Sequence, residues 1–296
     1  MAATLGSNQY GKAETRLVRL TKDGDLHQVK DLNVSVTLSG DLEDVHLTGD
    51  NANVVPTDTQ KNTVYAFAKE APVREIEEFG LRLARHFVDD FEPIHRARVR
   101  IEEYPWARIE AGGAPHPHAF LRASDEKRTA TVVYEQGQAW VVSGLADLVV
   151  LKSTGSEFTG YIADKYTTLK ETRDRILATA VTACWRHGTV DVDWAKSFQE
   201  TRRLLLETFA AKHSLSLQQT LYAMGEAVLA DRPEVVEVRM SMPNKHHFVV
   251  DLSPFGLDND NEVFHADDRP YGLIEAAVLR DDAPPAGPAW DPYPML

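Results

Sequence analysis

The segment NVVPTDTQKN, residues 53–62, crowds hydroxyl, carboxylate, amide and ammonium groups around a single proline. Such groups can bind a polar ligand or pass a proton between neighbours. Pro56 locks its own φ and lacks an N–H donor, so it fixes the direction in which the chain enters the turn. The same residue types also make an ordinary solvated loop, and the segment alone leaves both interpretations open.

A second set of chemically useful residues lies further along the chain. Phe158, Arg175 and Gln218 together would suit a flat heteroaromatic anion. The ligand ring can stack on phenylalanine with the usual offset, and the guanidinium fork can grip two adjacent acceptors in the ring plane. The glutamine amide offers one donor and one acceptor, which matches an N–H beside a C=O. Residue types alone nevertheless favour a strand end, with Phe158 in the core and Arg175 on a solvated face.

The histidines give only weak indications of a metal site. His116 and His118, in the sequence PHPH, are typical of a proline-flanked surface loop. His246 and His247 are adjacent, and adjacent side chains of a strand point to opposite faces. We therefore expect one of them to serve a site while the other packs or meets solvent. The absence of a G-x-G-x-x-G turn and of a Walker A loop disfavours a dinucleotide or ATP enzyme.

The composition is that of a soluble globular protein with an acidic balance. Its 296 residues suggest two domains, at roughly 150 residues each. The net charge of −13 argues against nucleic acid as a partner, because phosphate binding needs a concentrated basic face. The single Cys184 excludes an internal disulfide and a thiolate metal cluster. With no signal pattern, no membrane-length apolar run and no peroxisomal address, we expect a cytoplasmic protein without a membrane partner.

The first half of the chain predicts an antiparallel sheet with a helix on one face. Apolar residues at helical spacing form one stripe in the segment that follows Pro72, namely Ile76, Phe79, Leu83 and Phe87. Alternation and turn residues predict hairpins at residues 15–40 and 129–142 and strands at residues 44–48 and 95–109.

The second half predicts a similar order of helices and strands. Ser216 is a suitable N-cap for a helix over residues 216–231, and a preceding helix is expected over residues 198–213. Strands are expected at residues 148–152 and 235–253. We therefore predict two α+β domains, residues 1–144 and 145–281, followed by a proline-rich tail, residues 282–296, that is extended or disordered.

Several separate blocks of the chain resemble corresponding blocks of the urate oxidase (uricase) family. The longest, LVVLKSTGSEF from Leu148 to Phe158, continues through Tyr161, Tyr166 and Leu169 to Arg175. Further blocks are NQYGKAETRL, NVVPTDTQKNTVYAFAKE, SLQQTLY and MPNKHHFVVDLS. Their order and spacing are in register from the N-terminus to about Leu279, so the resemblance covers nearly the whole chain.

The resemblance implies a fold, an assembly and a reaction. The fold would be a tandem pair of tunnelling-fold (T-fold) units, each an antiparallel sheet with helices on one face, assembled into a barrel-like homotetramer with active sites at subunit interfaces. Urate, O2 and water would give 5-hydroxyisourate and hydrogen peroxide, with no metal and no organic cofactor.

The resemblance also implies a role for each matching residue. Lys12 and Thr57 would form a catalytic proton-relay diad that His246 supports, and Asn244 and Thr57 would hold O2 or water. His247 is expected to be structural. The substrate would be bound by Thr57 and Asp58 of a neighbouring subunit and by Phe158, Arg175, Gln218, Asn244 and the backbone of Leu217.

Two other functions stay open from the sequence. A pterin or purine hydrolase on the same fold would need a zinc site with cysteine and histidine ligands, which one cysteine and no clustered histidine triplet disfavour. A non-catalytic module would bind a purine without consuming it. Metal analysis tests the first alternative, and binding without turnover would indicate the second.

Overall fold

A computed structural model describes residues 3–122 and 124–292 of the chain. The described residues divide into two compact units. The first unit takes its residues from Met1–Gly144, Arg186–Ser197 and Pro284–Leu296, and the second from Leu145–Trp185 and Phe198–Ala283. Neighbouring strands are antiparallel in each register that the structure defines.

The first unit is a sheet with helices, in the strand order β1-β2-β3-β6-β7. Its strands are β1 Tyr10–Asp23, β2 Leu26–Gly40, β3 Ile94–Glu103, the separate pair β4 Ala107–Ala111 and β5 Ala114–Leu121, β6 Lys127–Glu135, and the start of β7 Gln138–Lys152. Its helices are α1 Glu43–Leu47, α2 Thr57–Glu70 and α3 Ile76–Asp89.

Period-two and helical patterns account for most of these elements. The alternating side chains Val34, Val36 and Leu38 of β2 are all buried, as are Ile76 and Phe87 of the α3 stripe. These side chains belong to one hydrophobic cluster that forms the core of the first unit. The predicted hairpins and the predicted helix are confirmed.

The strand expected at residues 44–48 is wrong, because these residues form the short helix α1. Glu43 and Asp44 lie in its first turn, where the helix dipole favours negative charge. The hydroxyl and the N–H of Thr48 both donate to the carbonyl of Asp44, each over 2.9 Å, and so close the last turn. A five-residue segment is too short for its hydrophobic pattern to distinguish strand from helix.

The expectation of an extended or disordered tail is also wrong for the residues that the structure describes. Gly287–Trp290 forms a 3-10 turn in which Pro288 and Ala289 are buried. The guanidinium of Arg98 donates to the backbone oxygen of Pro288 over 3.0 Å and to that of Asp291 over 2.6 Å. A buried arginine on β3 therefore supplies the donors that a proline-rich segment cannot supply to itself.

The second unit has the strand order β7-β8-β9-β10. It contains the end of β7, most of β8 Leu177–His187, most of α4 Trp194–Ala211, and all of α5 Leu217–Asp231, β9 Val235–Val249 and β10 Phe264–Leu279. Leu217, Leu221, Met224 and Val228 of α5 join its hydrophobic core. Ser216 caps α5 as predicted, since its side chain accepts from the backbone N–H of Gln219. Strands β8 and β10 were not anticipated from the sequence.

The pairing of β9 with β10 is interrupted at a position that matters for the site. Asp267 pairs with His246, whereas the next aligned pair is Gly272 with Asn244, so β10 carries extra residues between them. Such an irregularity bends a strand and redirects its side chains. The irregularity lies between Asn244 and His246 of β9.

Candidate functional site

A pocket of ≈ 1080 Å³ lies in the second unit, and all of its lining residues belong to that unit. The pocket is bordered by the segment after β7, the start of α5 and the interrupted part of β9 and β10. It brings together six residues that the sequence nominated for a site: Phe158, Arg175, Leu217, Gln218, Asn244 and His246.

Phe158 and Arg175 are held side by side by backbone hydrogen bonds. Phe158 exchanges two such bonds with Thr172, of 2.8 and 3.2 Å. The backbone N–H of Arg175 donates to the oxygen of Ser156 over 2.9 Å, which fixes the second member of the pair. The central carbon of the Arg175 guanidinium lies 5.2 Å from the ring centre of Phe158.

The surroundings of this pair prepare it for a flat, charged ligand. Tyr161 stacks on Phe158 with ring centres 5.0 Å apart and planes 16° apart, and its hydroxyl donates to the carbonyl of Leu169 over 2.7 Å. Burial lowers the pKa of Arg175 from its ordinary value, so the guanidinium is partly desolvated. A partly desolvated fork beside an aromatic face can bind a planar anion by stacking and by in-plane hydrogen bonds.

Gln218 and Leu217 lie in the first turn of α5, where N–H groups have no partner within the helix. The side chain of Leu217 is buried in the core of the second unit, so its backbone is the part that can serve a ligand. The side chain of Gln218 is exposed at the border of the pocket. An amide beside free helical N–H groups suits a ligand edge that carries carbonyl oxygens.

Asn244 and His246 line the pocket from β9, but so does His247. Both adjacent histidines border the pocket, and the expectation that only one of them serves the site stays a prediction. From His246 to Val249 the pairing with β10 is regular, and the rings of His246 and Phe248 stack with centres 5.6 Å apart, as alternation along a strand requires. His247 places its Nδ1 3.1 Å from the carbonyl of Lys245.

Lys12, Thr57 and Asp58 belong to the first unit. Thr57 and Asp58 are exposed and open helix α2, whose N-cap Pro56 provides no side-chain hydrogen bond. The carboxylate of Asp58 accepts from the ammonium of Lys61 and, over 2.9 Å, from the amide of Asn62. The hydrogen bond and charge of Lys61 lower the pKa of Asp58, and the charge of Lys12 adds to the effect.

The local structure around Lys12 depends on Gly11 and on an irregularity in the pairing of β1. Gly11 faces β2 so closely that a Cβ there would lie 1.9 Å from the oxygen of Val36. The pairing of β1 with β2 shifts between Lys12 and Thr15, which marks a bulge. A bulge re-aims the side chains beside it, so Lys12 lies at an irregular position of β1.

Sequence reasoning missed Tyr10, which connects this part of β1 with the turn before α2. Its hydroxyl accepts from the backbone N–H of Val55 over 2.8 Å and donates to the oxygen of the same residue over 3.0 Å. Tyr10 is two residues before Lys12, and Val55 is two residues before Thr57. No local pattern could have revealed this contact, because the partners are 45 residues apart in the chain.

Within the described residues, no group of three or more His, Cys, Asp or Glu side chains is arranged to hold a metal ion. His116 and His118 lie with ring centres 4.5 Å apart, edge to face. None of the helices in the same part of the chain is long and apolar enough to cross a membrane.

Comparison with known proteins decides the family. The family model described as uricase matches residues 8–133 and 141–275. The uricase of Arthrobacter globiformis is 53% identical over 286 residues, which are 97% of this chain and 93% of the relative. The uricase of Aspergillus flavus is 40% identical over 292 residues, 92% of this chain and 95% of the relative. The chain belongs to the uricase family.

Solved uricase structures agree with this assignment. A crystal structure of the Arthrobacter globiformis uricase matches with a TM-score of 0.93 at 52% identity, covering 98% of this chain and 99% of that one. The α+β class with antiparallel sheets and helices is confirmed, and it is consistent with the T-fold of uricases. Membership of the uricase family makes the chain an enzyme of the urate oxidase class.

Proposed function

We propose that the chain oxidises urate with O2 and water to 5-hydroxyisourate and hydrogen peroxide. The observation that carries the proposal is a pocket bordered by an aromatic ring, a partly desolvated guanidinium and a helix-borne amide, in a chain of the uricase family. Urate is planar, carries adjacent N–H and C=O groups and is an anion at neutral pH. Phe158, Arg175 and Gln218 offer the matching face, charge and amide.

The binding step uses residues of the second unit. Urate stacks on Phe158, and the Arg175 fork donates to acceptors in the purine plane. Gln218 pairs with an N–H and a C=O at the purine edge, and the backbone N–H of Leu217 adds a donor at the start of α5. Because the protein carries a net charge of −13, these local donors must attract the anion against the overall field.

The proton-transfer step uses residues of the first unit of a neighbouring copy. In this proposal Thr57 and Asp58 of that copy contact the five-membered ring edge, and the Lys12–Thr57 diad removes a second proton from urate. A free lysine is mostly protonated at neutral pH and is a poor base. The relay through Thr57, supported by His246, lets Lys12 accept and return protons within hydrogen-bond reach of the substrate.

The oxidation step needs O2 held against the purine face. Asn244 and Thr57 provide a donor and a hydroxyl for O2 and later for water. The electron-rich urate dianion passes two electrons to O2, which takes up two protons and leaves as hydrogen peroxide. Water supplies the hydroxyl group of the product. The residues bind and orient the substrates and move protons, and the electrons pass directly from urate to O2.

We propose that the protein is a homotetramer whose pockets are completed by neighbouring copies, and the division of the site residues between the two units motivates the shared pocket. The second unit supplies the stacking ring and the fork, whereas Thr57 and Asp58 stand exposed at the start of α2 in the first unit. An exposed, uncapped helix start with a threonine and an aspartate can serve the pocket of a second copy.

Air-saturated urate added to protein that has been stripped with a chelator tests the proposal. We expect loss of urate absorbance with stoichiometric formation of hydrogen peroxide, undiminished by the chelator. Turnover that returns only with added metal would contradict the proposal and favour a hydrolase-type centre. Binding of urate without loss of absorbance would contradict it in favour of a non-catalytic module.

A further inference from the structure

A series of polar contacts begins at Lys152, the last residue of β7. Its ammonium donates to the backbone oxygen of Lys212 over 2.5 Å and to the hydroxyl of Ser214 over 2.7 Å. Lys212 directly follows the end of α4, where free carbonyls and the helix dipole favour a cation. Burial lowers the pKa of Lys152, so its ammonium group is partly desolvated.

The chemistry of the ammonium group determines which group donates and which accepts in each of these contacts. Lys152 can only donate, so the oxygen of Ser214 must accept from it. The hydroxyl proton of Ser214 is then available for the hydroxyl oxygen of Thr220, 2.5 Å away, and Thr220 donates to the backbone oxygen of Ser216 over 3.2 Å. Ser214 and Thr220 are both 0% exposed, so bulk water does not compete for these bonds.

The backbone of Ser214 is hydrogen-bonded to the segment that precedes Phe158. Its N–H donates to the oxygen of Gly155 over 2.9 Å, and its own oxygen accepts from the N–H of Glu157 over 2.8 Å. Ser156, between them, accepts from the backbone N–H of Arg175. One buried serine is therefore bonded to the segment that precedes Phe158 and, through its hydroxyl, to the first turns of α5.

We propose that Lys152, Ser214 and Thr220 form a positioning unit that fixes the spacing between Phe158 and Gln218 in the ligand pocket. Phe158 follows Glu157 directly, and Gln218 lies two residues before Thr220. A flat ligand that stacks on one residue and pairs in plane with the other requires both to be placed within about 0.5 Å. The inference rests on the proposed purine site and names residues that touch no substrate.

Binding of urate under argon measures the effect without turnover. Ser214→Ala removes the shared hydroxyl, and Thr220→Val and Lys152→Met remove its two partners while keeping their bulk. We expect each to raise the Kd for urate by about tenfold, with a similar loss in kcat/KM. Lys196→Met, an exposed lysine at the start of α4, is the matched control and should leave the Kd unchanged.

A double-mutant cycle separates positioning from general destabilisation. If the unit acts by placing Phe158, then Ser214→Ala should weaken urate binding much less in a Phe158→Leu background than in the parent. A purely structural role would lower the melting temperature and leave the two effects on binding additive. Unchanged Kd values in all three single variants, or an additive cycle, would overturn the inference.

The parent protein supplies the reference for both proposals. If the parent fails to bind urate under argon, the proposed function fails and the positioning unit loses its ligand. If the parent binds urate and the Lys152, Ser214 and Thr220 variants bind it equally well, only the positioning inference fails. Should one variant not fold, the other two single variants still decide the result.

Discussion

The hydroxyl of Tyr10 makes two hydrogen bonds to one residue, donating to the oxygen of Val55 over 3.0 Å and accepting from its N–H over 2.8 Å. The contact fixes the approach to the turn at Pro56 and so the position of Thr57. It also explains how a strand and a helix start that are remote in sequence keep a constant relation within the first unit. Burial raises the pKa of Tyr10, which keeps the phenol protonated and able to donate.

Tyr10→Phe should therefore reduce turnover more than substrate binding. We expect kcat for urate to fall about tenfold with a small change in KM, because a misplaced relay group slows proton transfer. Tyr65→Phe is the matched control, since the exposed hydroxyl of Tyr65 makes only a 3.3 Å contact with the oxygen of Arg16. Steady-state kinetics of both variants test this prediction. An unchanged kcat in Tyr10→Phe would contradict the role of Tyr10 in positioning Thr57.

Thr57→Ala should lower kcat by on the order of 10²-fold, the usual scale for a lost proton-transfer group. Mixing this variant with Arg175→Ala tests whether the two residues meet across copies. Dissociated and reassembled mixtures should recover part of the parent activity, because some pockets then receive an intact Thr57 and an intact Arg175. No recovery in oligomers shown to be mixed would argue that each pocket is built from one copy.

Phe158→Ala should weaken urate binding by about tenfold through the loss of one stacking face. The measurement is the Kd for urate under argon, which separates binding from oxidation. Phe255→Ala serves as the control, because Phe255 is 76% exposed and lies outside the residues that line the pocket. Equal affinity of Phe158→Ala and the parent would remove the stacking role.

The stability of the first unit should depend on Arg128, whose side chain is only 11% exposed. Arg128 pairs with Glu77 over 2.7 Å and with Glu75 over 2.6 Å, and Glu77 is fully buried. Arg128→Met leaves carboxylates without their cation and should destabilise the fold by about 3–5 kcal/mol. Thermal unfolding followed by circular dichroism gives the melting temperature of each variant.

Arg203→Met is the matched control for this substitution. Arg203 also contacts two carboxylates, those of Glu200 and Glu207, but it lies on the exposed side of α4. Surface ion pairs are screened by water and salt, so the melting temperature should hardly change. A similar loss in both variants would show that burial is not the reason for the effect.

The sequence by itself predicted many of the local elements and nominated the candidate site residues. Period-two and helical patterns predicted the β1–β2 hairpin, helix α3 and helix α5 with its cap at Ser216. An element that buries one face carries apolar residues at a regular spacing in the sequence. The matching blocks nominated Phe158, Arg175 and Gln218, although residue types alone favoured an ordinary strand end. Short or irregular segments show no such regular spacing, and the prediction of a strand at the position of α1 is wrong.

Only the tertiary structure decided which residues share a surface. Three contacts join segments that are distant in the chain: Tyr10 with Val55, Lys152 with Ser214, and the interrupted pairing of β9 with β10. Such contacts depend on long-range pairing and burial, whereas sequence periodicity reports only on the face that a single element presents to its core.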